Sequence, residues 1–176
     1  MTTKLLLTLT FCVTALCGCS DRRPESNSSD YTVSNAPLAV TLKRISLSKI
    51  YEPNATGEVL VDVWCLLERT DGIAIDNQNN VTLGGLTLMR TNGQRIPPGG
   101  KGTAQTFYDP NNIPWEFGWG TGQGFALQNN QRLLRYRLLQ VKGLDKVSQL
   151  NIEIRLGLSG QDQKLRSFLF ERVLVR

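Results

Sequence analysis

The residues of this chain that could do chemistry are four cysteines and fifteen carboxylates, and there is no histidine among its 176 residues. The absence of histidine removes Ser-His and Cys-His nucleophiles, the commonest general base near neutral pH and the usual zinc ligand. The carboxylates are scattered, so no two can be nominated as the facing pair of a glycosidase. Residues 99–103 fail the spacing of a phosphate-binding loop, because Lys101 is followed by glycine. We therefore predict that the chain is not an enzyme, has no catalytic residues and needs no cofactor or metal.

Cys19 ends an amino-terminal segment with the layout of a secretory signal. Lys4 supplies a basic start, Leu5 to Leu16 form a short apolar run, and Gly18 is the small residue before the cysteine. The apolar run is shorter than the roughly 20 residues that span a bilayer. A signal cut at another position and an uncleaved membrane anchor remain open as alternatives.

The four residues Leu16-Cys17-Gly18-Cys19 resemble the lipobox of bacterial lipoproteins. The resemblance implies that residues 1–18 are removed as a signal peptide and that Cys19 carries lipid on its sulfur and on its new amino group. Ser20, where an aspartate would signal retention in the inner membrane, favours the outer membrane and its periplasmic face. The inner membrane and the cell surface stay open. Several acyl chains make a stable anchor, so the membrane is a partner through the lipid.

Signal removal changes the cysteine count and the charge. Cys12 and Cys17 leave with the signal and Cys19 carries lipid, so Cys65 alone remains and no disulfide can form within the domain. Of the 20 basic side chains, Lys4 is also lost, which leaves 19 against 15 acidic ones. Acidic and basic residues are interspersed rather than clustered, so we predict that no nucleic acid binds.

Residues 19–37 are polar, with almost nothing to bury, which is typical of a flexible tether behind the lipidated cysteine. The apolar pattern begins at Leu38, so we expect one domain over residues 38–176. Its size of about 140 residues is ordinary for a single domain.

Alternation of apolar and polar residues with a period near two predicts strands throughout this domain. The clearest strand runs through Val59 to Leu67 and is expected to be central. Lys43-Arg44 marks a bulge, and Asp71-Gly72 and Asn92-Gly93 indicate hairpins. Strands are expected at 38–50, 59–67, 73–75, 81–90, 94–96, 132–141, 148–158 and 165–175.

This pattern predicts an all-β protein, a single antiparallel β-sandwich of immunoglobulin-like or transthyretin-like type. The strand count alone leaves a closed barrel open. Residues 131–140 also fit a short amphipathic helix. The basic residues there, Arg132, Arg135 and Arg137, indicate either a solvated strand face or a site for anionic lipid or an acidic partner.

Residues 97–125 are predicted to form a long loop, and loops of this length tend to be functional or disordered. The loop is rich in glycine and carries half of the aromatic residues that follow the signal. Rigid rings can bury large areas against a partner or stack on a sugar. The predicted contact residues are Trp115, Glu116, Phe117, Trp119 and Tyr108. A loop that folds over an open end of the sandwich is the alternative.

Residues 52–57 with the following strand 59–67, together with Ile96-Pro97-Pro98-Gly99, resemble the outer-membrane lipoprotein of type VI secretion systems. The resemblance implies a lipid-tethered sandwich whose loops hold a periplasmic partner in a secretion system. We expect a non-enzymatic protein-binding or assembly module with an envelope protein as its partner. The alternative is a lipoprotein that binds a glycan or another small ligand through the same rings.

Overall fold

The computed structural model describes residues 31–49, 57–76, 81–98, 103–114, 126–144, 147, 149–159 and 162–175. Within these ranges the regular elements are all strands, and no helix there is long and apolar enough to cross a membrane. The strands are β1 (Thr32–Asn35), β2 (Leu38–Lys49), β3 (Glu58–Arg69), β4 (Thr82–Met89), β5 (Arg95–Ile96), β6 (Thr103–Tyr108), β7 (Gln131–Lys142), β8 (Gln149–Leu158) and β9 (Asp162–Leu174). The predicted all-β class is confirmed.

The strands form two antiparallel sheets that pack face to face. We call the sheet with the order β1-β2-β3-β7-β6 the large sheet, and the sheet with the order β5-β4-β8-β9 the small sheet. Their inward faces enclose one continuous apolar core. The predicted antiparallel β-sandwich is therefore confirmed.

β3 is the central strand of the large sheet, as its strict alternation predicted. Its odd-numbered residues from Val59 to Leu67 are all buried in the core. β8 alternates in the same way on the small sheet, where Ile152 and Ile154 are fully buried between β4 and β9. Each large apolar side chain in this layer contributes about 1.5–3 kcal/mol through burial.

The predicted bulge in β2 is confirmed. The pairing register of β2 with β3 shifts between Leu42 and Arg44, so that Lys43 is the extra residue. Leu42 therefore faces the core before the bulge, while Ile45 packs against the core after it. The bulge also turns Arg44 to the outer face, directly opposite Trp64.

The two predicted hairpin turns have different outcomes. Asn92-Gly93 joins β4 to β5 as expected, with Gly93 at a φ of 84° that glycine adopts freely. The strand predicted at 73–75 is wrong, although Gly72 does turn the chain with a φ of 75°. The N–H of Ile75 donates instead to the carbonyl of Asn129 at 2.9 Å, and its side chain enters the core. The chain thus leaves β3 for the small sheet instead of doubling back.

Two strands lie where the sequence predicted irregular chain. β1 lies within the segment interpreted as tether and pairs with β2 through a tight turn at Ala36-Pro37. β6 lies within the predicted loop 97–125 and pairs with β7 at the edge of the large sheet. Both are edge strands with few buried apolar residues, which explains their weak sequence signal. The helix considered at 131–140 is wrong, because these residues belong to β7.

Candidate binding face

The predicted contact residues are divided between described and undescribed parts of the chain. Cys19 and the residues Trp115, Glu116, Phe117 and Trp119 lie outside the described residues. Tyr108 is described, and it ends β6 on the outer face of the large sheet. Its ring stacks on that of Trp64, with 5.7 Å between the ring centroids and 21° between the planes. Tyr108 therefore contacts another ring of the same domain.

Trp64 is the centre of a small second core on the outside of the large sheet. It lies on the outward side of β3, yet its side chain is fully buried. Leu127 and Leu133 are buried with it, and Tyr108 and Ile113 pack against the cluster. Ile113 and Leu127 come from the two described stretches that flank residues 115–125. The chain on both sides of the aromatic segment is thus attached to this outer face.

Two guanidinium groups lie over the Trp64 ring. Arg44 of β2 and Arg135 of β7 are the residues paired with Trp64 on its two neighbouring strands. Their Cζ atoms lie 5.6 Å and 4.7 Å from the ring centroid. Both distances are in the range of a cation–π interaction. Each such interaction contributes about 0.5–2 kcal/mol of stabilisation. The register of three adjacent strands therefore places Arg, Trp and Arg in one row.

Asp62 lies two residues before Trp64 on the same side of β3 and binds two arginines. Nε and Nη2 of Arg135 donate to its two oxygens at 2.9 and 3.1 Å. Nε and Nη2 of Arg137 donate to the same two oxygens at 3.0 and 3.3 Å. Such paired N–H···O bonds are the preferred geometry of arginine with a carboxylate. We call Arg44, Asp62, Trp64, Arg135 and Arg137 together the arginine face.

The hydrogen bonds of the arginine face favour the charged forms of Asp62 and Arg135. Burial alone would raise the pKa of Asp62, but the hydrogen bonds from Arg135 and Arg137 outweigh it, so that its pKa is lowered. Burial alone would lower the pKa of Arg135, but the hydrogen bond to Asp62 and the charge of that carboxylate outweigh burial, so that the pKa of Arg135 is raised. Three cationic side chains and one anionic side chain therefore make up this face.

Arg132 does not join the other two arginines of its segment. It is 8% exposed and hydrogen-bonds to the loops at one end of the sandwich. Its guanidinium donates to the carbonyls of Ile75, Asn129 and Gln131. Burial is the main cause that lowers its pKa. The predicted basic segment thus divides into one structural arginine and two arginines on the outer face.

The chemistry that this arrangement supports is recognition of a negatively charged group. Within the described residues no group of three or more Cys, Asp or Glu side chains could hold a metal ion. Cys65 lies in the core, where burial raises the pKa of its thiol and disfavours the reactive thiolate. The arginines, in contrast, present N–H donors on the surface in a fixed geometry.

Comparisons with known proteins give no match: no family model, no curated protein and no solved structure is similar to this chain. The resemblances to lipoproteins rest on the sequence alone.

Arg44, Asp62 and Trp64 are not among the residues that the sequence pattern predicts to be functional. A signal was present, because Asp62 and Trp64 alternate with the buried valines and must share the outer side of β3. The missing fact was the register that brings Arg135, 73 residues away from Asp62, to the same place. Alternation assigns a residue to a face, but it does not identify its neighbour on the next strand.

Proposed function

We propose that this chain is a bacterial lipoprotein, acylated at Cys19 and anchored to the outer membrane on its periplasmic side. Its β-sandwich acts as a non-enzymatic protein-binding and assembly module of the cell envelope. The observation that carries the proposal is the arginine face, an ordered and partly exposed set of cations on the outside of the large sheet.

The arginine face is better explained by recognition than by stability. A buried or half-buried ion pair loses hydration when it forms, and apolar residues of similar volume often stabilise a protein as well or better. The two ion pairs of Asp62 are therefore not needed for stability, since apolar residues of similar volume could stabilise the fold equally well. Arginine and aromatic residues are, however, enriched where protein surfaces recognise one another. The composition of this face supports a protein partner.

The tether agrees with a module that works close to the membrane. β1 begins at Thr32, so the chain between Cys19 and the sheet spans at most about 47 Å when extended. The predicted contacts at Trp115, Glu116, Phe117 and Trp119 belong to the same proposal, because Ile113 and Leu127 on either side pack beside the arginine face. A secretion system is one assembly of this kind.

The described rings do not favour the glycan alternative. A sugar needs the open face of a ring, but Trp64 is fully buried and Tyr108 is stacked on it. The other rings of that alternative, Trp115, Phe117 and Trp119, lie outside the described residues, so no described observation favours a second function and we propose none.

Crosslinking in the native envelope tests the proposal. We expect the wild-type lipoprotein to capture a defined envelope protein, and a variant with Trp115→Ala and Trp119→Ala, at equal abundance, to capture less of it. Cys19→Ala should abolish incorporation of labelled fatty acid, which checks the anchor separately. Capture of no protein by the correctly lipidated wild type would contradict the assembly role.

A further inference from the structure

We propose that the part of the arginine face around Arg137 binds an acidic segment of the partner protein through its carboxylates. This inference rests on the proposed function and adds the chemistry of the partner. In this proposal Arg137 contacts the ligand, and Asp62 holds the guanidinium of Arg137 in position.

Arg137 is the accessible member of the face. Its side chain is 39% exposed, whereas that of Arg135 is 16% exposed beside Trp64. Across the sheet, Arg137 is paired with Ala104 of the edge strand β6 on one side and with Asp62 on the other. Beyond Asp62 the row ends in Ser46 of β2. These short side chains leave the guanidinium open to an approaching group.

The guanidinium of Arg137 is held in place before any ligand arrives. Asp62 occupies Nε and one N–H of Nη2, and among the described residues the remaining N–H groups make no other hydrogen bond. The remaining N–H groups are free to bind a carboxylate. Because the fold has already fixed the rotamer, binding loses less side-chain entropy than it would with a free arginine.

Charge complementarity identifies the ligand as acidic. Among the described residues, the guanidinium groups of Arg135 and Arg137 share the single carboxylate of Asp62, and further along the same face Lys142 and Glu58 neutralise each other at 3.2 Å. A second carboxylate at Arg137 would reduce the cationic surplus. An excess of one sign attracts and orients a partner of the opposite sign.

The shape of the face favours a protein over a membrane. The arginines lie along a sheet, and the next outward residues of β3 and β7 towards Lys142 are Leu60 and Leu139, which are both half-buried. Recognition of anionic lipid typically uses clusters of flexible basic side chains next to a membrane segment or on an amphipathic helix. Fixed arginines beside apolar side chains are typical of a protein interface.

The small sheet supplies a matched control for Arg137. Arg155 of β8 also points outward, is 44% exposed and is bound to a carboxylate of its own sheet, Glu153. Arg137→Gln and Arg155→Gln therefore remove the same charge from similar surroundings on opposite faces. The full-length lipoprotein in detergent is titrated with a fluorescent hexaglutamate peptide and followed by anisotropy. We expect Arg137→Gln to weaken binding about fivefold or more, and Arg155→Gln to change it less than twofold.

A second pair of variants leaves every arginine in the chain. Ala104 is exposed and is the cross-strand neighbour of Arg137, so Ala104→Glu places a competing carboxylate beside the guanidinium. Ala104→Gln has the same size without the charge. We expect the Glu variant to lose hexaglutamate binding and the Gln variant to retain it.

The outcomes separate this inference from the proposed function. Equal binding by Ala104→Glu and Ala104→Gln, or equal losses in the two arginine variants, would overturn the site. The site would also be overturned if hexaglutamate failed to bind while vesicles of phosphatidylglycerol bound in an Arg137-dependent way, because a membrane would then be the ligand. If crosslinking captures a protein equally with and without Arg137, the assembly role stands and only this site fails. If the wild type captures none, the assembly role itself fails.

Discussion

The outer faces of the two sheets differ in how far their large apolar side chains are buried, and the sequence alone does not indicate this difference. On the large sheet, Trp64 is fully buried between two arginines. On the small sheet, three leucines of the edge strand β9, Leu165, Leu169 and Leu174, are 44%, 43% and 48% exposed. Both sets are on the side of their sheet that faces away from the core. The outer side of this sandwich is therefore not uniformly solvated.

The difference follows from what lies over each sheet. On the large sheet, Ile113 and Leu127 pack on the Trp64 cluster. No described residue packs over the leucines of β9 in a comparable buried cluster. On the large sheet, covered rings exclude water and strengthen the ion pairs beside them, whereas on the small sheet the leucines remain ordinary surface residues.

The largest effect is expected from removal of the covered ring. Trp64→Ala should lower the free energy of unfolding by about 3–5 kcal/mol, because a fully buried Trp leaves a cavity and two unstacked guanidinium groups. Urea denaturation measures it, with Phe168→Ala in the main core as the reference. A loss below about 1 kcal/mol would mean that Trp64 stabilises nothing and that the two outer faces are equivalent.

A smaller effect is expected from the ion pairs. Asp62→Asn leaves two arginines without their carboxylate and should cost about 2 kcal/mol, less than a deeply buried pair because Arg137 reaches solvent. Glu153→Gln on the small sheet should cost less, because Glu153 is paired with one arginine that is 44% exposed, whereas Asp62 is paired with two, of which Arg135 is only 16% exposed. Urea denaturation of both variants at neutral pH gives the comparison, and equal losses would contradict it.

The pH dependence of the free energy of unfolding provides a further test of Asp62. Folding lowers the pKa of Asp62, so its contribution is present above about pH 4, where an unfolded aspartate is ionised, and is lost as the pH falls through the lower folded value. The wild type should therefore lose stability more steeply than Asp62→Asn as the pH falls below about 4. Parallel curves for the two proteins would show that Asp62 does not carry this acid sensitivity.

The sequence predicted the fold where side chains repeat strictly. The alternation of Val59 to Leu67 gave a central strand, and Lys43-Arg44 and Asn92-Gly93 gave a bulge and a hairpin. It missed β1 and β6, which depend on pairing with a neighbour more than on apolar residues of their own. It also gave Ile73 to Ile75 a strand, because a turn signal does not tell whether the chain returns to the same sheet.

The candidate site was less predictable than the fold. Tyr108 was nominated for a partner, but its described contact is Trp64. Arg135 was noted only as part of a basic run with Arg132, although the two differ completely in surroundings. A site made from β2, β3 and β7 depends on long-range register, which one sequence does not contain.

The smallest effect is expected on the small sheet. Leu169→Thr introduces a β-branched residue that strands favour and removes little buried area, so the free energy of unfolding should change by less than about 0.5 kcal/mol. Leu165→Thr should behave alike, and the urea midpoint and slope should both stay near the wild-type values. A loss above about 1 kcal/mol at either position would mean that these leucines are covered in the folded protein. The contrast between the two outer faces would then be one of side-chain chemistry alone, because apolar residues would be buried on both.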